Sequence, residues 1–155
     1  EQHWHRELEE MTVLPPVVTD EGVVIPTRES VQLRARSDGS LQWERDLDGN
    51  ATDSAPAVAN DTIFVADERE SLHALSLTTG ETRWTAPFDG KTTPVVADDR
   101  VYAVDSLWAL KAFDIATGEQ QFEYHPSEVP LSPPIVGDDI LYLANRGQIL
   151  ALEEA

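Results

Sequence analysis

The sequence predicts an all-β protein built from four small antiparallel sheets, and three observations lead to this fold class. A strand–turn–strand segment at 74–84 returns at 112–122 and, more loosely, at 33–43. The residues that open and close each unit recur with one common period. One strand of each unit is apolar at successive positions rather than at alternate ones. Together these features favour four-stranded sheets stacked around an axis, a β-propeller.

Two independent sets of residues recur with the same period. The prolines that open the units are Pro16, Pro56, Pro94 and Pro134. The aromatic residues that close them are Trp4, Trp43, Trp84 and Phe122. Successive prolines lie 40, 38 and 40 residues apart, and successive aromatic residues lie 39, 41 and 38 apart. A constant period near forty residues is typical of propeller blades.

Each unit contains four short strands. A proline precedes one or two small apolar residues, an acidic turn follows, and then comes an apolar run such as 63–66. The last two strands flank a turn such as Thr79-Gly80, where glycine tolerates positive φ. The connections are too short for parallel crossovers, so the strands pair as antiparallel neighbours. The apolar runs predict burial on both faces of a sheet. A β-sandwich, the second choice, would instead leave one polar face on each strand.

A single module is predicted over 1–155, with blades at about 16–48, 55–88, 93–126 and 133–155, the last completed by 2–8. The N-terminal segment matches only the fourth strand of a unit, and the C-terminal unit has only the first three. Three arrangements stay open: a closed four-bladed ring, an eight-bladed ring in which two chains exchange ends, or part of a longer ring. Flat aromatic packing suits blades meeting at about 45° better than at about 90°, which favours the second and third.

The charge of the chain excludes one class of partner and suggests an environment. The net charge is −18, from 29 acidic and 11 basic residues. Nucleic-acid binding requires clustered Lys and Arg, so we expect no nucleic acid partner. The acids are spread along the chain, and salt would screen their repulsion, which predicts halophilic adaptation. No apolar run is long enough to span a membrane, and Cys is absent.

The hairpins at 74–84 and 112–122 share the pattern Ala-x-(Asp or Ser)-x-x-Thr-Gly-Glu-x-x-(Trp or Phe). They resemble the repeat of the pyrroloquinoline-quinone-like β-propeller family, and the resemblance covers essentially the whole chain. It implies that the closing aromatic residue of each blade docks against the next blade. The positions to which it assigns this structural role are Trp4, Trp43, Ala74, Thr79, Gly80, Trp84, Ala112, Thr117, Gly118 and Phe122. Arg34 and Arg36 depart from the pattern and suggest a more exposed first blade.

The resemblance leaves three functions open, because the family includes quinoprotein alcohol dehydrogenases and non-enzymatic propellers of the outer-membrane barrel assembly machinery. The dehydrogenases use a catalytic Asp, calcium ligands and typically a vicinal Cys pair over the quinone. This chain has no Cys. We therefore expect a non-catalytic scaffold for a protein partner, or for a second copy of itself, without a cofactor and in the cell envelope or outside the cytoplasm. The alternatives are a fragment or subunit of a dehydrogenase that holds pyrroloquinoline quinone with calcium, and a carbohydrate-binding or other ligand-binding propeller.

A few residues outside the repeat could carry chemistry. Oxygen donors cluster in one inter-blade loop, at Asp46, Asp48, Asn50 and Asp53, but the loop lacks the bidentate Glu of an EF-hand, so turn formation is the favoured interpretation. His3 and His5 would lie on one face of a strand without a third metal ligand. The tripeptides at 50–52 and 60–62 fit the glycosylation acceptor pattern.

Trp108 does not follow the period of the other aromatic residues. Most such tryptophans are packed in a core, but an exposed one on a propeller rim would be a candidate partner contact.

Overall fold

The computed structural model describes residues 2–12, 14–51, 54–90, 92–127, 130–137 and 140–153. Their regular structure is entirely β-strand and forms four antiparallel sheets, here called blades 1 to 4. Blade 1 contains β1 (Val17–Val18), β2 (Val23–Pro26), β3 (Ser30–Arg34) and β4 (Leu41–Asp46). Blade 2 contains β5 (Ala57–Ala59), β6 (Thr62–Asp67), β7 (Ser71–Ser76) and β8 (Thr82–Pro87). Blade 3 contains β9 (Val95–Ala97), β10 (Arg100–Val104), β11 (Leu110–Asp114) and β12 (Gln120–Tyr124). Blade 4 contains β13 (Ile135–Gly137), β14 (Ile140–Ala144) and β15 (Ile149–Glu153).

The blades repeat one register. Leu33 lies opposite Trp43, Ala74 opposite Trp84, and Ala112 opposite Phe122, and each pair is followed by a one-residue shift in the ladder. The first strands of blades 2, 3 and 4 are neighbours, as expected for the inner strands of stacked blades. The all-β propeller architecture is confirmed. Within the described part of the chain, no helix has the length and apolar character that crossing a membrane requires.

The core lies between blades rather than inside any one of them. We call the side of a blade that carries Val24, Phe64, Tyr102 or Tyr142 its forward face, and the opposite side its rear face. The forward face of blade 1 packs on the rear face of blade 2, where Ile63, Val65 and Leu75 are buried. The same arrangement joins blade 2 to blade 3 and blade 3 to blade 4.

The expectation that every blade is shielded on both sides is wrong for the end blades. Strand β6, in the middle of the stack, is buried at all six positions, whereas β14 alternates and exposes Tyr142. A central blade has a neighbour on each side, but blades 1 and 4 have one neighbour each among the described residues. An apolar run in the sequence indicates a sheet face suited to burial, but the face is buried only where an adjacent blade packs on it.

The hairpin between the second and third strands is held by its own side chains. In blade 2, Asp67 Oδ1 accepts hydrogen bonds from the backbone N–H groups of Arg69 (2.9 Å) and Ser71 (3.1 Å), and its Oδ2 lies 2.8 Å from His73 Nε2. In blade 3, Asp105 accepts from the N–H groups of Leu107 and Ala109 at 2.9 Å and pairs with Lys111 at 3.1 Å. Side-chain hydrogen bonds to the backbone therefore hold both hairpins in one conformation.

Blade 4 has three strands among the residues that the structure describes. Sheet order there is β13-β14-β15, and the described residues of segment 2–12 contain no strand. Completion of blade 4 by residues 2–8 stays a prediction.

Candidate interaction surfaces

Blades 1 and 2 are each joined to the next blade by a tryptophan that lies on a glycine turn of that blade. Trp43 Nε1 donates to the Leu77 carbonyl and Trp84 Nε1 donates to the Ile115 carbonyl, both at 2.9 Å. Beneath these rings lie Gly80 and Gly118, at φ +71° and +74°. A Cβ on either glycine would lie 2.6 Å or 2.5 Å from the indole. Glycine is thus required twice over, by the backbone conformation and by the close approach of the ring.

Residues 4–6 contact blade 1 in the same way that a fourth strand contacts the blade after it. Trp4 Nε1 donates to the Arg36 carbonyl at 2.9 Å, and the Trp4 ring covers Gly39, at φ +72°. Two residues after the tryptophan, Arg6 Nε donates to the Asp38 carbonyl at 3.0 Å. Arg45, two residues after Trp43, likewise donates to the Gly80 carbonyl at 2.7 Å.

The arginine two residues after the tryptophan was not identified from the sequence, although the shared spacing of Trp4 to Arg6 and Trp43 to Arg45 was the available signal. The segment is also tied to the opposite end of blade 1, where Thr12 Oγ1 donates to the Pro26 carbonyl at 2.5 Å.

Acidic side chains order two of the glycine turns. Asp114 accepts from the Thr117 hydroxyl at 2.9 Å and from the Thr117 N–H at 2.8 Å, and these bonds hold the pKa of Asp114 below its ordinary value. Hydrogen bonds from Ser40 lower the pKa of Asp38. In blade 2 the Thr79 N–H instead donates to Ser76 Oγ at 3.3 Å. Thr117 and Thr79 therefore belong to the turns that carry Gly118 and Gly80.

Phe122 has the register of the tryptophans but different surroundings. Its side chain is 41% exposed, whereas Trp84 is 8% exposed. It lines a cavity of about 290 Å³ together with Tyr102 of blade 3 and Leu141, Leu152 and Glu153 of blade 4. No glycine turn among the described residues covers it. The docking contact predicted for Phe122 is therefore not made within the described ranges, and it stays a prediction.

The forward face of blade 4 is apolar and open. Ile135, Tyr142 and Ala151 lie side by side across the three strands. Ile135 is 70% exposed, Tyr142 39% and Ile149 79%. Isolated exposed apolar residues are ordinary, but an apolar sheet face of this kind is typical of an interface.

The rear face of blade 1 combines apolar and polar groups. Val23 and Ile25 occupy the positions of Ile63 and Val65, and Arg34 stands opposite Val23, where blade 2 has Leu75. A hydrogen-bonded network covers the face: Arg34 Nε donates to Gln32 Oε1 at 2.8 Å, and Gln32 Nε2 donates to Glu44 Oε1 at 2.7 Å. This network gives the departure at Arg34 a structural reason. Arg36 contributes its carbonyl to Trp4.

Leu107 and Trp108 form an exposed apolar tip on the β10–β11 hairpin of blade 3, here called the Leu107–Trp108 tip. Leu107 is 77% exposed and Trp108 40%. Trp108 has φ +67°, which is strained for a bulky residue, and its N–H donates to the Asp105 carbonyl at 3.1 Å. Of the two interpretations of Trp108, packed in a core or exposed at the rim, the structure shows the exposed position.

The loop at 46–50 lines an open depression of about 690 Å³ with Glu10, Glu29, Glu68 and Arg69. Asn50 Nδ2 donates to Glu68 Oε2 at 3.1 Å, so its amide is used within the loop. Arg69 brings a positive charge into the same depression. No group of three or more potential metal ligands occurs among the described residues, and Asp53 lies outside them. A calcium site at Asp46, Asp48, Asn50 and Asp53 stays the less favoured prediction for this loop.

The histidines and glycosylation tripeptides singled out from the sequence do not come together in one site among the described residues. His3 and His5 are exposed and belong to no metal-ligand group among the described residues. Asn60 is exposed at a turn with φ +49°, but Thr62, two residues later, is buried. Thr52 of the other acceptor tripeptide lies outside the described residues.

Four stacked blades, with a tryptophan on a glycine turn at two of the three joints that the structure describes, define a β-propeller of the pyrroloquinoline-quinone-like repeat class. Residues 27–155 match the family model described as outer membrane protein assembly factor BamB. The chain belongs to this family. No curated protein sequence matches it.

Solved structures share the fold at low sequence identity. BamB from Moraxella catarrhalis is 20% identical with a TM-score of 0.83, over 97% of this chain and 49% of that one. The computationally designed Ika4 protein is 12% identical with a TM-score of 0.83, over 100% of this chain and 99% of that one. The quinohemoprotein alcohol dehydrogenase ADHIIG from Pseudomonas putida HK5 is 18% identical with a TM-score of 0.68, over 88% and 23%. The chain thus spans about half the length of the BamB chain it matches.

Proposed function

We propose that this chain is a rigid, non-catalytic propeller module of the cell envelope that binds a partner protein through the Leu107–Trp108 tip. The family description, an assembly factor for outer membrane proteins, supports both the location and a role in bringing proteins together. The fold supports rigidity, because the joints between blades 1 and 2 and between blades 2 and 3 combine buried apolar packing with a docked indole and its hydrogen bond.

The proposal is carried by a comparison of the hairpins between the second and third strands. The hairpin of blade 2 has the same length as that of blade 3 and carries Arg69-Glu70 where blade 3 has Leu107-Trp108. The hairpins of blades 1 and 4 are one residue shorter and carry Arg28-Glu29 and Arg146-Gly147 at their centres. Glu70 adopts φ +63°, close to the +67° of Trp108, so the same backbone conformation is compatible with a charged side chain. The fold therefore does not require an apolar residue there. Exposed tryptophan on a rigid support is typical of binding hot spots.

The charges around the tip indicate the chemistry of the partner. Asp89 accepts from Ser106 Oγ at 2.5 Å beside the tip, and the whole chain carries a net charge of −18. A surface of like charge would be repelled, whereas a basic rim would be attracted. We expect the partner to present an apolar pocket for Trp108, bordered by Lys or Arg.

Photo-crosslinking in source cells tests this binding site. A photoreactive amino acid at position 107 should yield a defined crosslinked protein, and the same group at position 41 on the outer strand of blade 1 should not. With that protein purified, Trp108→Ala should weaken its affinity by about thirtyfold, the effect of losing ~2 kcal/mol at a hot spot. Equal crosslinking at both positions, or unchanged affinity of Trp108→Ala, would contradict the proposal.

The dehydrogenase alternative makes an opposite prediction. If the chain were part of such an enzyme, pyrroloquinoline quinone added with Ca²⁺ would give a bound absorbance and reduce a dye when an alcohol is supplied. We expect neither signal. A positive result in both assays would replace the scaffold proposal.

We also propose that the acidic surface is an adaptation to high salt. Molar KCl shortens the Debye length to about 3 Å and should weaken repulsion among the acidic side chains. The melting temperature should therefore rise by at least about 3 °C between dilute buffer and 1 M KCl, equivalent to ~1 kcal/mol for a domain of this size. Equal melting temperatures in both conditions would refute salt adaptation.

A further inference from the structure

We infer that Asp105 is the positioning residue of the Leu107–Trp108 tip, and that it sets the affinity for the partner without touching it. The side chain of Asp105 lies beneath the hairpin and is 7% exposed. A partner that binds the tip therefore contacts Leu107 and Trp108, and the effect of Asp105 passes through them. This inference rests on the proposed function of the tip, but its structural part is measurable without the partner.

The length of the hairpin creates the need for a positioning residue. Five residues, 105–109, lie between the paired residues Val104 and Leu110. The hairpin of blade 2 has the same length. The fourth of the five residues is Trp108 in blade 3 and Glu70 in blade 2, and both have a left-handed backbone, at φ +67° and +63°. Because glycine is the residue that adopts this conformation without strain, tryptophan at 108 must be held there against its backbone preference.

Asp105 holds the hairpin through both of its carboxylate oxygens. Its Oδ1 accepts hydrogen bonds from the backbone N–H groups of Leu107 and Ala109, both at 2.9 Å, on either side of Trp108. Its Oδ2 lies 3.1 Å from Lys111 Nζ, on the strand that follows. Hydrogen bonds to a carboxylate are stronger than those between neutral groups, and burial strengthens them further. Trp108 is thereby fixed between two anchored backbone groups.

The other hairpins support this role for a buried aspartate. Blade 2 has Asp67 in the place of Asp105, with the same two backbone hydrogen bonds, and its Glu70 also has positive φ. The shorter hairpins of blades 1 and 4 begin with Thr27 and Asn145, and no residue of either hairpin, each within the described ranges, has positive φ. Among these four hairpins, a left-handed residue thus occurs only where a buried aspartate accepts hydrogen bonds from the residues beside it.

A second contact fixes the tip against the neighbouring blade. Ser106, beside the tip, donates its N–H to the Asp89 carbonyl at 2.6 Å and its hydroxyl to Asp89 Oδ2 at 2.5 Å. Asp89 directly follows Phe88, which is 1% exposed and packs edge-on against Phe113 at 6.0 Å between the ring centroids. The base of the tip is therefore tied to the buried joint between blades 2 and 3.

This rigidity should contribute to affinity. A mobile tip would have to be ordered when the partner binds, and ordering a loop and a large side chain weakens binding. With Asp105 in place, the tip is already ordered in the folded chain. Removal of the carboxylate should therefore lower the affinity although no contact with the partner is lost.

The affinity for the partner protein purified after crosslinking at position 107 tests this inference. Asp105→Ala should weaken the affinity about tenfold, equivalent to ~1.4 kcal/mol. Asp67→Ala is the matched control, because Asp67 makes the same backbone hydrogen bonds in a hairpin without an apolar tip. It should lower the melting temperature by a similar amount and leave the affinity unchanged. Asp105→Asn should retain most of the affinity, because Asn145 Oδ1 accepts two backbone hydrogen bonds in blade 4.

A double-mutant cycle tests whether Asp105 acts through Trp108. Trp108→Ala removes the indole that Asp105 positions. Asp105→Ala added to Trp108→Ala should therefore weaken the affinity by less than about threefold more, whereas independent effects would again give about tenfold.

The mobility of the tip can be measured without a partner. The chain has four Trp, so Trp108→Phe identifies the indole signal of Trp108 in a nitrogen-15 spectrum. In Asp105→Ala the order parameter of the Trp108 backbone amide should fall from about 0.85 to below about 0.6, and in Asp67→Ala it should not change. Ser106→Ala changes only an exposed side chain and is the second variant, should Asp105→Ala fail to fold. It should loosen the tip in the same direction and weaken the affinity about twofold to threefold.

Different results would overturn the inference and the proposed function. A tip that stays equally rigid in Asp105→Ala and in Ser106→Ala would overturn the inference alone. Unchanged affinity of Asp105→Ala, equal losses of affinity in Asp105→Ala and Asp67→Ala, or an additive double-mutant cycle would do the same. Unchanged affinity of Trp108→Ala would instead overturn the proposed function, and the inference with it.

Discussion

Gly118→Ala should lower the free energy of unfolding by about 2–5 kcal/mol. A left-handed backbone at φ +74° costs a residue with a Cβ about 1–2 kcal/mol. The added Cβ would lie 2.5 Å from the Trp84 ring, and overpacking of this kind costs about 1–3 kcal/mol more. Urea unfolding monitored by tryptophan fluorescence measures the loss.

Gly147→Ala is the matched control for this prediction. Gly147 also lies in a blade hairpin, but a Cβ there would meet nothing within 4 Å. The substitution should cause no loss, and a gain of about 0.4–1 kcal/mol is expected where the backbone is compatible with alanine. Equal stabilities of the Gly118 and Gly147 variants would show that the tryptophan and glycine contact does not hold the blades together.

Trp84→Ala should cost about 3–5 kcal/mol, the range for removing a large buried aromatic side chain. Trp84 is 8% exposed, packs at 5.8 Å from Phe64 and donates its Nε1–H to the Ile115 carbonyl at 2.9 Å. Its removal leaves a cavity between blades 2 and 3 and a carbonyl without its partner. Trp108→Ala provides the comparison, since Trp108 is 40% exposed and adopts a strained backbone, so its loss should be below about 1 kcal/mol.

The double variant Trp84→Ala with Gly118→Ala tests whether the two residues act as one joint. Without the indole, alanine at 118 keeps its backbone strain but loses its clash. The combined loss should therefore be smaller than the sum of the single losses by about 1–3 kcal/mol. Additive losses would mean that the turn and the ring contribute independently.

Much of the fold could be predicted from periodic residues alone. The common period of the prolines and closing aromatic residues led to four blades, and the resemblance of the hairpins to the family repeat led to the tryptophan joints at Trp43 and Trp84. These features depend on contacts between adjacent repeats, so each repeat carries the pattern for its own place. The role of Arg6 and Arg45 was missed, because a surface arginine in a strand has no pattern that distinguishes it from a solvated charge.

The surfaces were less predictable than the joints. Phe122 and Trp84 have the same place in their repeats, yet their exposures are 41% and 8%. The position of Trp108 in the sequence was compatible with either a packed or an exposed side chain. Its exposure became clear only from the structure, in which Asp105 accepts hydrogen bonds from the backbone of the hairpin that carries it. Arg34 looked like a mismatch in the sequence, but it donates to Gln32 Oε1, and Gln32 in turn donates to Glu44 Oε1.

The amino-acid sequence by itself determined the strands, their period and the residues that join one blade to the next, because these depend on local chain geometry and on neighbouring repeats. Only the tertiary structure decided which faces lack a neighbour, where segment 2–8 rests and which apolar residues are open to solvent. Burial is a property of what packs against a residue, and at the two ends of a row of blades the repeat pattern alone does not specify that partner.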